Sequence, residues 1–163
     1  MNDLHTLAAG QPTAAPGKYL TFMLGRESYG VPVLAVREII RLCPITPVAT
    51  MPPHVRGVIN LRGKVIPLVD LRRRFGLPAT EEHDRTCIVV TQVASTTGGT
   101  RPYGVIVDGV EEVAQFTAAD IEPPPDFGGA VDARFITGMA KSASGVTILV
   151  DLDLISAAET ATL

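Results

Sequence analysis

The sequence predicts a mainly β protein: two copies of one β unit, each closing into a small barrel, packed side by side around a shared core with a few short helices. Three observations lead there. Short Val- and Ile-rich runs recur along the chain, broken by Gly and Pro at the spacing of barrels or sandwiches. Tyr29-Gly-Val-Pro-Val-Leu-Ala-Val-Arg-Glu38 lies over Tyr103-Gly-Val-Ile-Val-Asp-Gly-Val-Glu-Glu112 with six identities in ten at an offset of 74 residues. Leu68-Val-Asp-Leu71 recurs as Leu149-Val-Asp-Leu152, and Gly57 finds Gly138, both at an offset of 81. Each copy has only about 60 to 70 residues, the edge of what one small core stabilises, so the two are expected to share one.

Residues 1–17 are rich in Ala, Pro, Gly and Thr without periodicity and read as a flexible leader. Strands are expected over 18–24 and 29–33 around a turn at Gly25–Ser28, then over 36–42 and 64–71. After the polar link 79–84, further strands are expected over 86–93, 103–110 and 145–152, with a loop at Ser95–Thr100. The two barrels thus occupy about 18–80 and 86–155 of a single domain spanning 18–155. Helical signals are few: one turn at Leu71–Phe75 and a terminal helix over Asp151–Glu159, of which 156–163 is the end or a tail. Alternating residues would fill each barrel, outward apolar residues the seam, and the groove between barrels would suit an elongated ligand such as a helix tip.

Composition excludes several classes of function. With 163 residues, 46% of them hydrophobic, the chain can bury a real core, and a net charge of −3 gathers no polyanion. Arg72-Arg73-Arg74 is a local basic patch, read as a solvated helix face, because no aromatic residues interleave with it for base stacking. No apolar run approaches the roughly 18 residues of a membrane span, and no secretory signal opens the chain. Cys43 and Cys87 lack metal-type spacing and read as reduced, buried thiols of a cytoplasmic protein. His5, His54 and His83 form no metal motif.

Convergent catalytic groups are also missing. Asp70 and Asp151, equivalent in the repeat, would be a carboxylate pair only if they met in one cleft; capping the short helices that follow explains both more simply. Arg62-Gly63-Lys64 places one glycine in a strand context, which is no phosphate loop feeding a helix. We expect no catalytic, cofactor-binding or metal-binding residue. In Glu122-Pro-Pro-Pro-Asp-Phe-Gly-Gly129 the prolines stiffen a connection that presents Phe127 as a lid on the barrel core or an anchor for a partner.

Taken in order, LGRESYGVPVLAVREI, RGVINLRGKVIPLVDLR, YGVIVDGVEEV, TAADIEPPPDF and FITGM with GVTILVDLD resemble the CheW family of bacterial chemotaxis coupling proteins, from about Tyr19 to Ile155. The resemblance implies a non-enzymatic adaptor of two tandem five-stranded SH3-like β-barrels, without cofactor. Its implied partners are the regulatory domain of the chemotaxis histidine kinase, the cytoplasmic hairpin tip of chemoreceptors, and other CheW-like domains in rings. Such a protein is cytoplasmic and meets membrane receptor arrays through protein contacts only. Carried over by position, Val33, Val36, Glu38 and Phe127 are kinase-contact candidates; Gly57, Arg62, Gly63, Cys87 and Val113 are receptor-contact candidates, with Glu38 a partner for Arg62. A CheW-like adaptor of a twitching or other receptor–kinase pathway is the alternative. A nucleic-acid-binding small barrel is a further one, and would need Arg62 and Arg72–Arg74 on one face.

Overall fold

The computed structural model describes residues 14–78, 81–125 and 133–162. Eleven strands form two antiparallel-rich sheets: β1 (Gly17–Leu24), β2 (Glu27–Pro32), β3 (Val36–Arg41), β4 (Val55–Leu61), β5 (Lys64–Asp70), β6 (Cys87–Ala94), β7 (Thr100–Val107), β8 (Gly109–Phe116), β9 (Ile121–Glu122), β10 (Ile136–Ser142) and β11 (Gly145–Val150). Two α-helices follow strands at equivalent places, α1 (Leu71–Arg74) after β5 and α2 (Leu152–Thr162) after β11. Both start on the expected caps. Asp70 Oδ1 accepts from the Arg72 amide at 3.0 Å, and Asp151 Oδ1 from the amides of Asp153 and Leu154 at 2.8 and 3.2 Å.

Sequence reasoning did not assign β4 or β10, whose runs are interrupted by Arg56, Gly57 and Asn60, and by Thr137 and Gly138. It also ran β7 into β8, which the structure separates at Asp108. The leader is shorter than expected: the Ala14 amide donates to the Thr137 carbonyl at 3.0 Å and the Tyr19 hydroxyl to the Ala15 carbonyl at 2.6 Å, so 14–17 lie against the fold.

The larger correction concerns how the two copies become two barrels. The six-stranded sheet has the order β8-β1-β2-β11-β10-β9 and the five-stranded sheet β3-β6-β7-β5-β4. Each therefore takes its first hairpin from one copy and its remaining strands from the other. The divisions 18–80 and 86–155 describe the repeats, not the barrels. The arrangement is consistent with two SH3-like barrels, and we call them the six-stranded and five-stranded barrels; the two-residue β9 is the extra edge.

The exchange explains the repeated residues. β2 runs parallel to β11 with Gly30 opposite Leu149, and β7 runs parallel to β5 with Gly104 opposite Leu68. A Cβ on Gly30 would come 3.0 Å from the Leu149 side chain, and one on Gly104 2.9 Å from that of Leu68. The Tyr-Gly of each copy is thus a seat for the Leu-Val-Asp-Leu of the other. The bulges repeat as well: one residue is skipped at Arg37 in β3 and Glu111 in β8, and at Arg56 in β4 and Thr137 in β10.

The core has the three parts expected of packed barrels. Ile59, Ile66, Leu68, Ile88, Val90 and Ile106 fill the five-stranded barrel, and Tyr19, Phe116, Ile121, Ala140 and Leu149 the six-stranded one. The opposite faces of the same strands make the shared seam, among them Leu20, Phe22, Tyr29 and Val31 against Val89, Tyr103, Val105 and Val107. Burying side chains of this size contributes about 1.5–3 kcal/mol each, so the seam is a principal source of stability.

Candidate functional site

The most distinctive local geometry is the β4–β5 hairpin. Leu61 pairs with Lys64, leaving a two-residue loop in which Arg62 has φ 51° and Gly63 φ 85°. Positive φ at both positions is the backbone of a type I′ turn, which matches strand twist and favours Asn or Gly. A non-glycine residue there costs roughly 1–2 kcal/mol. The Gly63 amide, donating to Asn60 Oδ1 at 2.9 Å, helps hold the turn.

The strained backbone aims the Arg62 side chain across the barrel mouth to β3. Its guanidinium forks onto Glu38, Nη1 donating to Oε1 at 3.2 Å and Nη2 to Oε2. This hydrogen bond holds the Glu38 carboxyl below the usual glutamate range and raises the guanidinium in turn. The Arg62 side chain nevertheless remains 70% exposed, and a surface pair of this kind adds little to stability.

The seam between barrels has two differently finished ends. At one, Arg72 is buried, with Nη1 donating to Asp108 Oδ2 at 2.7 Å, and the Gly25 amide donates to the same oxygen at 2.6 Å. At the other, Asp153 stands at the repeat position of Arg72, and the Ala94 amide donates to its Oδ1 at 2.8 Å. That end opens as a cleft of about 600 Å³ whose walls include Tyr19, Val33, Leu34, Gln92 and Leu152. Leu34, 94% exposed on the 3-10 turn Val33–Ala35, is the most exposed large apolar side chain described. Sequence reasoning missed it. The signal was in the repeat, where Leu34 stands over Asp108.

The remaining candidates spread over both barrels. Val33 borders the apolar cleft, and Val36 packs half-buried on the shared core. Gly57 is buried at the β4 bulge with φ 137°, and a Cβ there would sit 2.1 Å from the Thr46 carbonyl oxygen, so its position answers to packing. Cys87 is half-buried against the seam, where burial raises its thiol pKa, and Cys43 is likewise half-buried; neither is the fully buried thiol expected. Val113 is exposed on β8 of the other barrel. Phe127 lies outside the described residues, as does His5.

Arg72–Arg74 is not the solvated face expected. Arg72 is buried on Asp108, Arg73 donates to the Pro53 carbonyl and pairs with Asp70, and Arg74 lies over the Phe135 ring at 4.6 Å. A helix of one turn cannot keep three successive side chains on one side. Asp70 and Asp151 line different clefts, which leaves them as caps. Among the described residues no three His, Cys, Asp or Glu are grouped to hold a metal, and no helix is long and apolar enough to cross a membrane.

Comparison with known proteins agrees with this architecture. The family model described as CheW-like domain matches residues 18–159. The chain is 36% identical over 154 residues to the chemotaxis protein CheW of Rhizobium meliloti, covering 94% of this chain and 96% of that one. It is 34% identical over 142 residues to the chemotaxis protein CheW of Klebsiella aerogenes, covering 87% and 82%. The crystal structure of the scaffolding protein TtCheW from Thermoanaerobacter tengcongensis superposes with a TM-score of 0.77 at 33% identity, covering 86% of this chain and 92% of that one.

Proposed function

Because the chain belongs to the CheW-like domain family, a family of chemotaxis scaffolds and adaptors, we propose that it couples the cytoplasmic hairpin tip of chemoreceptors to the regulatory domain of a chemotaxis histidine kinase. It does so by binding alone, on the cytoplasmic side of receptor arrays, and other CheW-like domains join it barrel to barrel. The observation that carries the reading is the exposed Arg62–Glu38 pair, held by a left-handed arginine on one copy of the repeat only. A receptor tip with acidic and polar groups meets Arg62 there, with Gly63 leaving the turn low and Glu38 fixing the guanidinium plane. The kinase meets the apolar end of the seam, where Val33 and Leu34 supply area and Val36 supports them from beneath. Phe127, Gly57, Cys87 and Val113 stay in the contact set as proposed positions.

Capture on purified partners tests both halves. Arg62→Glu should lose receptor-fragment binding while retaining the wild-type melting temperature. Leu34→Glu should weaken capture of the kinase regulatory domain by about 2–4 kcal/mol, since a charge would be buried without a partner. Undiminished capture by folded Arg62→Glu removes Arg62 from the receptor surface; undiminished capture by Leu34→Glu removes the cleft from the kinase surface.

A further inference from the structure

We propose that Asn60 is a positioning residue for the receptor contact: its side chain holds the β4–β5 turn in the left-handed form that delivers the Arg62 guanidinium to Glu38 and to a partner. The role rests on the assignment of Arg62 to the receptor surface and deepens it.

Two preferences compete in this turn. A type I turn, with negative φ at both central residues, would suit an arginine. Strand twist favours its mirror image, type I′, which Gly63 takes at no steric cost at φ 85° and Arg62 takes under strain at φ 51°. The two forms turn the Arg62–Gly63 peptide to opposite faces of the hairpin. In a loop closed by Leu61 and Lys64, the Gly63 amide belongs to that central peptide and lies outside the strand register. Asn60 Oδ1 accepts it at 2.9 Å. The bond is made only while the peptide faces Asn60, so it weighs directly on the choice of turn. The same choice sets where the Arg62 Cβ points. It therefore decides whether the guanidinium meets Glu38, with which it forms two hydrogen bonds, or turns away from β3.

The other copy of the repeat is the control. At the offset of 81 residues, Lys141 stands for Asn60 and Ala143 for Arg62. Lys141 uses its side chain on Glu122 at 2.5 Å, and Ala143 has no positive φ. Asparagine, left-handed backbone and arginine thus occur together in one hairpin and are absent together from the other. Asn60 is also exposed, like Arg62 beside it, so its hydrogen bond acts on the turn and leaves the buried cores untouched.

Three full-length chains, the wild type, Asn60→Ala and Asn60→Asp, test the role by NMR and by capture on a receptor cytoplasmic-tip fragment. In Asn60→Ala the strong intraresidue HN–Hα cross-peak that marks positive φ at Arg62 should weaken. The Glu38 carboxyl should titrate nearer its ordinary value, with Arg37 still holding it partly down. Receptor-fragment affinity should fall about threefold to tenfold, the weight of one exposed hydrogen bond, at a melting temperature close to wild type. Asn60→Asp, which keeps an acceptor for the Gly63 amide, should restore the Arg62 cross-peak. A wild-type cross-peak and Glu38 titration in Asn60→Ala would overturn the proposal. So would a cross-peak that Asn60→Asp does not restore, or undiminished capture by an Asn60→Ala chain whose turn has changed. Undiminished capture by Arg62→Glu removes the receptor surface itself; the hold of Asn60 on the arginine is then still decided by the cross-peak and the Glu38 titration, which need no receptor.

Discussion

The five-stranded and six-stranded barrels share one frame but end differently. In the first, Arg62 reaches from the β4–β5 turn to Glu38; in the second, Ala143 holds the equivalent turn position and Glu112, equivalent to Glu38, has no cation within ion-pair distance among the described residues. The seam repeats the lesson. Asp108 clamps buried Arg72 at one end, while its equivalent Leu34 projects into solvent at the other. What the copies hold in common serves strand exchange and capping: Tyr-Gly, the bulges, Leu-Val-Asp-Leu. The exposed Arg62 and Leu34 lie where they differ, because a frame residue cannot vary without disturbing two barrels at once.

Equivalent substitutions in the two copies can break this comparison. The largest contrast is expected at the bulge glycines. Gly57→Ala would drive a Cβ into the Thr46 backbone at 2.1 Å and hold alanine at φ 137°, costing roughly 3–5 kcal/mol. Gly138→Ala meets the Ile121 side chain at 2.9 Å, with Ala14 Cβ and the Glu122 carbonyl oxygen at 3.4 Å, and should cost about 1–2 kcal/mol. Chemical denaturation of both variants measures the difference; equal losses would mean that the two bulges are equally demanding and would remove this contrast.

Next comes the seam. Asp108→Ala strands a buried guanidinium and the Gly25 amide, and should cost about 2–3 kcal/mol. Leu34→Ala, at the equivalent position, should stay within about 0.5 kcal/mol because the side chain is already in water. A comparable loss at Leu34 would make that residue part of the frame.

A smaller effect concerns pH. The folded-state pKa of Glu38 lies below its unfolded value, so the stabilisation from its pairing with Arg62 is complete above the ordinary glutamate range and is lost as pH falls through the folded value. In Arg62→Ala the carboxyl should return upward toward its ordinary value in an NMR titration. An unmoved Glu38 would show that the pair does not form in solution.

The smallest effect separates the turns themselves. Arg62→Gly suits a left-handed position and should leave the melting temperature unchanged or slightly raised, although the proposed receptor contact is removed. Ala143→Gly relieves no positive φ and should lower stability slightly, through the entropy of the unfolded chain. A drop for Arg62→Gly would assign the arginine a structural role.

Much of the frame was legible because it is local. β-branched runs mark most strands, and Asp70 and Asp151 cap the helices that follow them, needing only amides two or three residues away. β4 and β10 were not legible, since bulged, glycine-containing strands lose the period-two pattern. The partnership of Arg62 with Glu38 was named from family likeness, but the left-handed turn that aims it was not. Leu34 looked like one more apolar residue in an apolar run. Only its exposure gives it meaning.

By itself the sequence determined that the chain is a duplicated β frame, with its turns, caps and one unmatched arginine, because these depend on neighbours along the chain. Tertiary structure alone decided which copy's strands join which barrel. Gly30 can seat either Leu68 or Leu149, and Gly104 likewise, since the two copies present the same Leu-Val-Asp-Leu. Local pairing energy is therefore nearly the same for kept or exchanged strands. The choice falls to the long-range packing of the seam, where exchanged hairpins bury Tyr29 and Tyr103 in one common core.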